Sequence, residues 1–364
     1  MRWSAQTRRD ESALTELADE WDSLYQRCST ATPFASYAWL SSWWASYGRP
    51  GRLELVLVRR DGRLVAAAAL TRTRVGALVP LGAGISDHSD VLIDDTCPEA
   101  ARWLARALAA TQRWRPIDLR EVPEPAAARR LLKTWPARTW RLPGSMCLEL
   151  PAMSIVDLIG ELPSGTAKTR RKKSRKIDAA GIEYREVPAA EVTGAIRTLL
   201  RLHREQWRGR DLNPEHVRAR FAEHLMRALP AMVDRGQAIV VEYRTGDEVV
   251  AVHALLLSHR AVCAYLYGID PKLRDRIDVA QLLLGTNLAL SVRLGRQALN
   301  LLRGDEPYKR RWRPRPEPNE RLLLAGSATL PSVAYAAAVR GRYTLVRLVK
   351  DRLPWLGRLL RRLR

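Results

Sequence analysis

LVLVRRDGRLVAAAAL at 55–70 and IVVEYRTGDEVVAVHALLL at 239–257 follow one plan. Each begins as an apolar run and passes a polar turn with glycine, Asp61-Gly62 in one and Thr245-Gly246-Asp247 in the other. Each then continues as a second run rich in Val and Ala. Apolar runs on either side of such a turn mark a β-hairpin, because glycine supplies the positive φ that tight turns need. The hairpins stand half a chain apart, and their surroundings repeat as well. Residues 11–27 carry Leu14, Leu17, Trp21, Leu24 and Tyr25 at helical spacing, and a short Trp-rich helix is predicted over 39–44. Residues 190–208 and 214–229 are helical by the same test. After each hairpin come strand and helix again, 79–94 with 97–112 and 261–270 with 277–294. Each half reads helix, helix, strand, strand, strand, helix, strand. That order predicts an α/β (α+β) fold built twice, each copy a mixed, mostly antiparallel sheet flanked by helices.

A chain of 364 residues has room for two such domains. The expected division is 1–160, a basic connector over 161–185, a second domain over 186–325 and an extension over 326–364. The net charge of +22, from 61 basic against 39 acidic residues, favours polyanionic partners: nucleotide phosphates, nucleic acid or an anionic membrane surface. A solvated Arg-rich surface gives the same count. Cys28, Cys97, Cys147 and Cys263 are widely separated, which speaks against a disulfide framework or a thiolate metal site. Residues 1–22 lack the apolar core of a secretion signal, and no apolar run reaches the length of a membrane span. The expected location is the cytoplasm, with peripheral attachment to the inner face of the membrane.

The most specific stretch is 261–312, AVCAYLYGIDPKLRDRIDVAQLLLGTNLALSVRLGRQALNLLRGDEPYKRRW. A strand ends in Tyr267-Gly268-Ile269-Asp270, and a loop leads into a long helix. Then comes Arg303-Gly304-Asp305-Glu306-Pro307-Tyr308-Lys309, with Trp312 three residues on. Leu202-His203 with Trp207, Thr32-Pro33-Phe34 with Trp39 and Trp43-Trp44, and Leu81-Gly82 before Ser86-Asp87-His88-Ser89-Asp90 surround it. Over residues 10–315 this pattern resembles the tandem GNAT-fold acyltransferases of the CelD-type and FemAB-like group. The resemblance implies two tandem GNAT-like domains with the acyl donor in the second. It implies an N-acyltransferase that moves an acyl group, acetyl foremost, from acyl-CoA to an amine of a small molecule or of a cell-envelope or polysaccharide precursor. Acyl-CoA is then a co-substrate, with no cofactor or metal bound. Aminoacyl transfer from a charged tRNA, as FemAB-like proteins perform it, is the alternative, and a non-catalytic scaffold at the membrane surface is the reading from another class.

In GNAT folds the loop before the long helix and the helix start cradle the donor's pyrophosphate, since free N–H groups and the helix dipole favour an anion there. Here that loop reads Asp278-Val279-Ala280-Gln281, where relatives often have glycine, and Asp278 brings a negative charge toward the phosphates. Arg274 and Arg276 stand ready to offset it. Lys309 is the expected stabiliser of the tetrahedral oxyanion, as the resemblance implies. Asp305 and Glu306 are the candidate general base, or else a salt-bridge network. Asp87, His88, Asp90, His203, Trp207, Tyr267 and Tyr308 are assigned to the acceptor pocket, although a polar loop at 86–90 and packing at His203 and Trp207 explain them as well. His253, inside a strand, reads as a core histidine.

Residues 168–176 hold seven Lys or Arg in nine positions without interleaved aromatics, so base stacking is not indicated and a solvated helix face is expected. tRNA contact through phosphates stays open, whereas sequence-specific DNA binding is not expected. The segment 340–364 alternates Leu and Val with Arg and Lys and is interrupted by Pro354, a basic pattern suited to an anionic membrane surface.

Overall fold

The computed structural model describes residues 2–111, 116–209, 213–326 and 329–352. The first half supplies β1 (Trp3–Arg8), β2 (Leu53–Arg60), β3 (Arg63–Arg72), β4 (Leu78–Pro80), β5 (Leu92–Ile93), β6 (Ile117–Val122) and the long β7 (Thr139–Pro151). The second supplies β8 (Glu183–Glu186), β9 (Ala238–Thr245), β10 (Glu248–Leu257), β11 (Ala261–Ile269), β12 (Ala298–Arg303) and β13 (Arg315–Leu324). Both hairpins form, β2 with β3 and β9 with β10. The segment 79–94 is mostly loop, because only its ends pair as strands.

All the strands join one mixed, mostly antiparallel sheet, ordered β1-β2-β3-β4-β6-β13-β7-β12-β11-β10-β9-β8, with β5 beside β3. The order shows an internal exchange. β7 follows β6 in the chain yet pairs with β12, and β13 follows β12 yet pairs with β6. The two exchanged strands then pair with each other from Arg315 opposite Glu149 to Leu324 opposite Thr139. Each half thus completes its sheet with the other's last strand. The repeat extends to backbone detail: Glu121 (φ 56°) and Leu302 (φ 55°) are both left-handed, and each stands four positions after the first residue of its strand, Ile117 and Ala298.

The longer helices are α1 (Tyr37–Tyr47), α2 (Ala100–Thr111), α3 (Ser164–Asp178), α4 (Val192–Gln206), α5 (Ala219–Asp234), α6 (Val279–Arg293) and α7 (Thr329–Arg352). α4 and α6 cover opposite faces of the second half. Leu199 and Leu202 of α4 belong to one apolar core with Cys263, Leu266 and Leu302. Leu283, Leu284 and Leu288 of α6 belong to a second core with Val262, Ile269 and Leu301. α1 packs on α5 and ties the halves together; Ser42 Oγ donates to the His224 carbonyl at 2.8 Å. The stretch expected as a basic connector is not a linker. Its centre is α3, which packs against α6.

Candidate functional site

β11 and β12 pair in parallel only over 261–263 and 298–300. Beyond that point they diverge, and 264–267 with Ile269 on one side and 301–303 on the other line a cavity of about 860 Å³. Two local features open the gap. Tyr265 is an extra residue in β11: Ala264 pairs with Leu255 and Leu266 with Ala254, and such a bulge bends a strand and re-aims its side chains. In β12 the left-handed Leu302 gives its N–H to Asn300 Oδ1 at 2.8 Å, which closes the chain into a local turn and breaks the register with β7. The lining comes from both faces of the sheet, His203 and Trp207 from the α4 side and Leu283, Leu284 and Asn287 from the α6 side. The cavity therefore passes through the sheet between the parted strands.

At the α6 side the rim is cationic. Arg274, Arg276, Asp278, Val279 and Ala280 line it, joined by Lys172, Lys173 and Lys176 of α3. Asp278 caps α6, accepting the Gln281 N–H at 3.2 Å. It is also paired with Lys173 Nζ at 2.6 Å and Arg170 at 3.0 Å. Burial works to raise its pKa, but Lys173, the Gln281 N–H and Arg170 outweigh burial and hold the carboxyl below its ordinary range. The charge expected to oppose phosphate is thus neutralised from α3. Arg170 is buried, with its guanidinium 4.8 Å from the Trp312 ring centre. Gln281 does not face the cavity, contrary to its assignment to the donor site. Its side-chain amide donates to the Arg170 carbonyl at 3.0 Å and to Ser174 Oγ at 2.8 Å, fastening α3 to α6.

Lys309 lines the interior and is buried; its Nζ donates to the Arg303 carbonyl at 3.0 Å and the Gly304 carbonyl at 3.4 Å, and pairs with Glu306 at 2.9 Å. The long contact to Gly304 is the one a ligand oxygen can most easily replace. Gly304 adopts φ +116°, and a Cβ there would strike the Glu306 carboxylate. Tyr267 and Tyr308 both line the cavity. Asp305 lies elsewhere: its exposed carboxylate is bound by Arg310, which holds its pKa low, so a role as general base is corrected to a surface ion pair.

On the α4 side, Asp87 reaches the cavity across the exchanged strands and pairs with Arg303. His203 donates from Nδ1 to the Tyr267 carbonyl at 2.7 Å and meets His216 Nδ1 through Nε2 at 3.1 Å. Two further acceptor-pocket assignments are corrected. His88 is buried 3.5 Å from Cys147 Sγ and is pushed down to about 4 by burial. Asp90 accepts the backbone N–H groups of Ala127 and Ala128 at 2.9 and 2.7 Å, a structural cap. Neither lines the cavity. His253 is buried and lines it from β10, without a polar partner among the described residues. Sequence reading missed His216, Arg303 and the α3 lysines. The lysines left a signal in their density, which reads equally as a solvated face, and Arg303 left one by opening the Arg-Gly-Asp-Glu-x-Tyr-Lys run, whereas His216 left none.

The family model described as Acetyltransferase (GNAT) domain matches residues 164–310, from the start of α3 to one residue past Lys309. The matched stretch is thus similar to a GNAT domain. Three solved structures share its fold over nearly their full length. FemX aligns with a TM-score of 0.62 at 10% identity, covering 93% of this chain and 99% of FemX. A conserved protein of unknown function from Bacteroides thetaiotaomicron aligns at 0.57 and 13%, covering 88% and 99%. L-PGS from Bacillus licheniformis aligns at 0.56 and 11%, covering 89% and 96%. At these identities the likeness is one of fold. No curated protein matches the chain by sequence. The GNAT superfamily uses acyl-CoA generally, and its domain marks an acyltransferase. No helix among the described residues is long and apolar enough to cross a membrane.

Proposed function

We propose that this protein transfers an acyl group, acetyl foremost, from acyl-CoA to an amine of a small molecule or of an envelope or polysaccharide precursor. We assign the donor to the second of two GNAT-like halves, 186–325 with α3 added, and the acceptor to the opening between the halves. The observation that carries this reading is the cavity through the parted strands, cationic at its α6 end and holding a buried lysine. A phosphate-bearing donor enters among Arg274, Arg276 and the α3 lysines, against the free N–H groups of Val279 and Ala280. Its acyl carbon then reaches Lys309, whose cation faces the oxygen on which charge develops. The amine approaches from the α4 side, past Asp87, His203 and Trp207. Alignment of the two reactants supplies most of the acceleration in a reaction that needs no covalent enzyme intermediate.

Calorimetric titration with acetyl-CoA, free CoA and an aminoacyl-tRNA mixture at two salt concentrations tests the donor. Saturable binding of the CoA compounds supports the reading. Binding of tRNA alone, falling steeply with salt, moves the donor to aminoacyl-tRNA. The five cations at the rim favour that second reading enough to keep it in the test. Membrane attachment through 340–364 belongs to the same proposal. Arg340, Arg342, Tyr343 and Leu345 on α7 are exposed, while side chains 346–352 and residues 353–364 lie outside the described residues.

A further inference from the structure

A row of polar groups behind the α4 side of the cavity has one consistent arrangement of protons. Asn213 Oδ1 accepts the Glu215 N–H at 3.0 Å, which turns its Nδ2 toward His216 Nε2 at 3.4 Å, so His216 Nε2 is an acceptor. At the other end the Tyr267 carbonyl can only accept, so His203 Nδ1, 2.7 Å away, carries a hydrogen. Burial lowers both imidazole pKa values, His216 to about 4, and keeps the rings neutral at pH 7. A neutral ring has one N–H. His203 Nε2 is therefore bare, and His216 Nδ1–H donates to it across 3.1 Å. The wire runs in one direction, from exposed Asn213 to the buried Tyr267 carbonyl, and its weakest link is the 3.4 Å contact at His216 Nε2, the lone pair that a substrate N–H can take over from Asn213.

Of the other bases lining the cavity, Asp275 stands at the α6 end between Arg274 and Arg276, away from the amine's approach, and the remaining carboxylates are committed. Glu306 pairs with Lys309 and Asp87 with Arg303. Among the described residues His253 has no polar partner to pass a proton to. The groups acting on His216 from the elements around it are His203 and Arg303, which disfavour its charge, and Asp87 and Glu215, which favour it. Phe221 stacks on its other side, with ring centres 4.6 Å apart.

We propose that the His203–His216 pair is the proton acceptor of the transfer, with His216 Nε2 receiving the proton of the attacking amine. The inference rests on the acyltransferase reading. The amine lone pair forms the N–C bond, and the carbonyl pair moves onto oxygen beside Lys309. The proton on nitrogen passes to His216 Nε2, and the Nδ1 proton of His216 passes to His203 Nε2. The oxygen pair then re-forms the carbonyl, the C–S bond breaks, and the thiolate leaves with its electron pair. The charge rests on His203, whose Nδ1–H stays bound to the Tyr267 carbonyl, until the proton returns to the thiolate through solvent at Asn213. A weakly basic ring suffices, because the nitrogen it relieves carries a full positive charge within the tetrahedral adduct and is far more acidic than a free ammonium.

The test uses the full chain labelled with nitrogen-15 histidine. The expected spectrum shows Nδ1–H on both rings, the minority tautomer of free histidine, and Asn213→Ala raises the His216 titration midpoint by removing the donor that keeps Nε2 bare. A hydrogen on His216 Nε2 in the neutral ring overturns the proposal without any substrate. With acetyl-CoA and spermidine or glucosamine as probe amines, His216→Gln should lower kcat for thiol release by about a hundredfold or more, at unchanged acetyl-CoA affinity, with partial rescue by imidazole. Wild-type turnover in His216→Gln also overturns it. A wild-type chain that binds no acetyl-CoA counts against the donor assignment instead, and one that acylates neither amine leaves the decision on the pair to the tautomers.

Discussion

Lys309 stands among two backbone carbonyls and Glu306 with all its donors engaged, so in the proposed reaction the acyl oxygen displaces one of them. Lys309→Met keeps the stem and removes the charge. It should lower kcat by roughly 10²–10³-fold while acetyl-CoA affinity changes only slightly, since the lost interaction belongs to the transition state. Asp278 acts in the opposite direction. Its carboxylate holds Lys173, one of the cations the proposed function assigns to the donor phosphates. Asp278→Asn retains the cap and removes the charge, and should tighten CoA binding about fivefold at low salt, an effect that shrinks as salt screens it. Weaker binding would show that Asp278 positions Lys173 instead of competing for it. Lys309 was legible because it sits in an Arg-Gly-Asp-Glu-x-Tyr-Lys frame. Asp305 and Glu306 are neighbours in that same frame, yet their carboxylates turn to opposite environments, a difference of side-chain direction that spacing does not carry. His216 left no trace at all, since it meets His203 across an irregular segment where periodicity has no meaning.

The parted strands depend on a few residues that set backbone geometry. Asn300 holds Leu302 in its left-handed turn, and Asn300→Ala should lower stability by about 1–2 kcal/mol in urea unfolding and weaken donor binding, because the gap loses its shape. Gly268 lets α4 lie directly on β11: a Cβ there would stand 2.2 Å from the Leu199 carbonyl oxygen. Gly268→Ala should therefore lower stability by about 3 kcal/mol and displace His203 from the Tyr267 carbonyl. The hairpins, α2, α4 and α6 were readable from the alternation and spacing of their own residues, because each element's burial is written along its own length. α3 was not. Its apolar contacts are few, and its burial rests on Arg170 against Trp312 and on the Gln281 amide, both supplied by distant segments.

At the scale of the whole molecule, acid is the stress to which this core is exposed. Burial pushes His88 and His216 down to about 4 and His224 and His253 to about 3. An unfolded imidazole titrates near 6.5, so between roughly pH 6.5 and 4 the unfolded chain binds protons that the native chain refuses. The contribution is present above that window and is lost as pH falls through it, on the order of 3 kcal/mol for one ring shifted to about 4. Urea midpoints measured at pH 7.5, 6 and 5 should fall steadily, and a constant midpoint would mean that the folded protein protonates these rings. The duplicated fold was legible in the two hairpins, but the exchange of β7 and β13 was not, since strand partners are chosen across the sheet and not along the chain. That exchange bears on synthesis. A nascent chain released from the ribosome only through its first half has β6 with one edge open and β7 with no second-half strand to join. Until β13 emerges, the nearest partner for β7 is β6 itself, a pairing the finished protein must undo. Two halves expressed as separate polypeptides would meet the same obstacle, each carrying the strand the other lacks, and should become soluble and folded only when produced together.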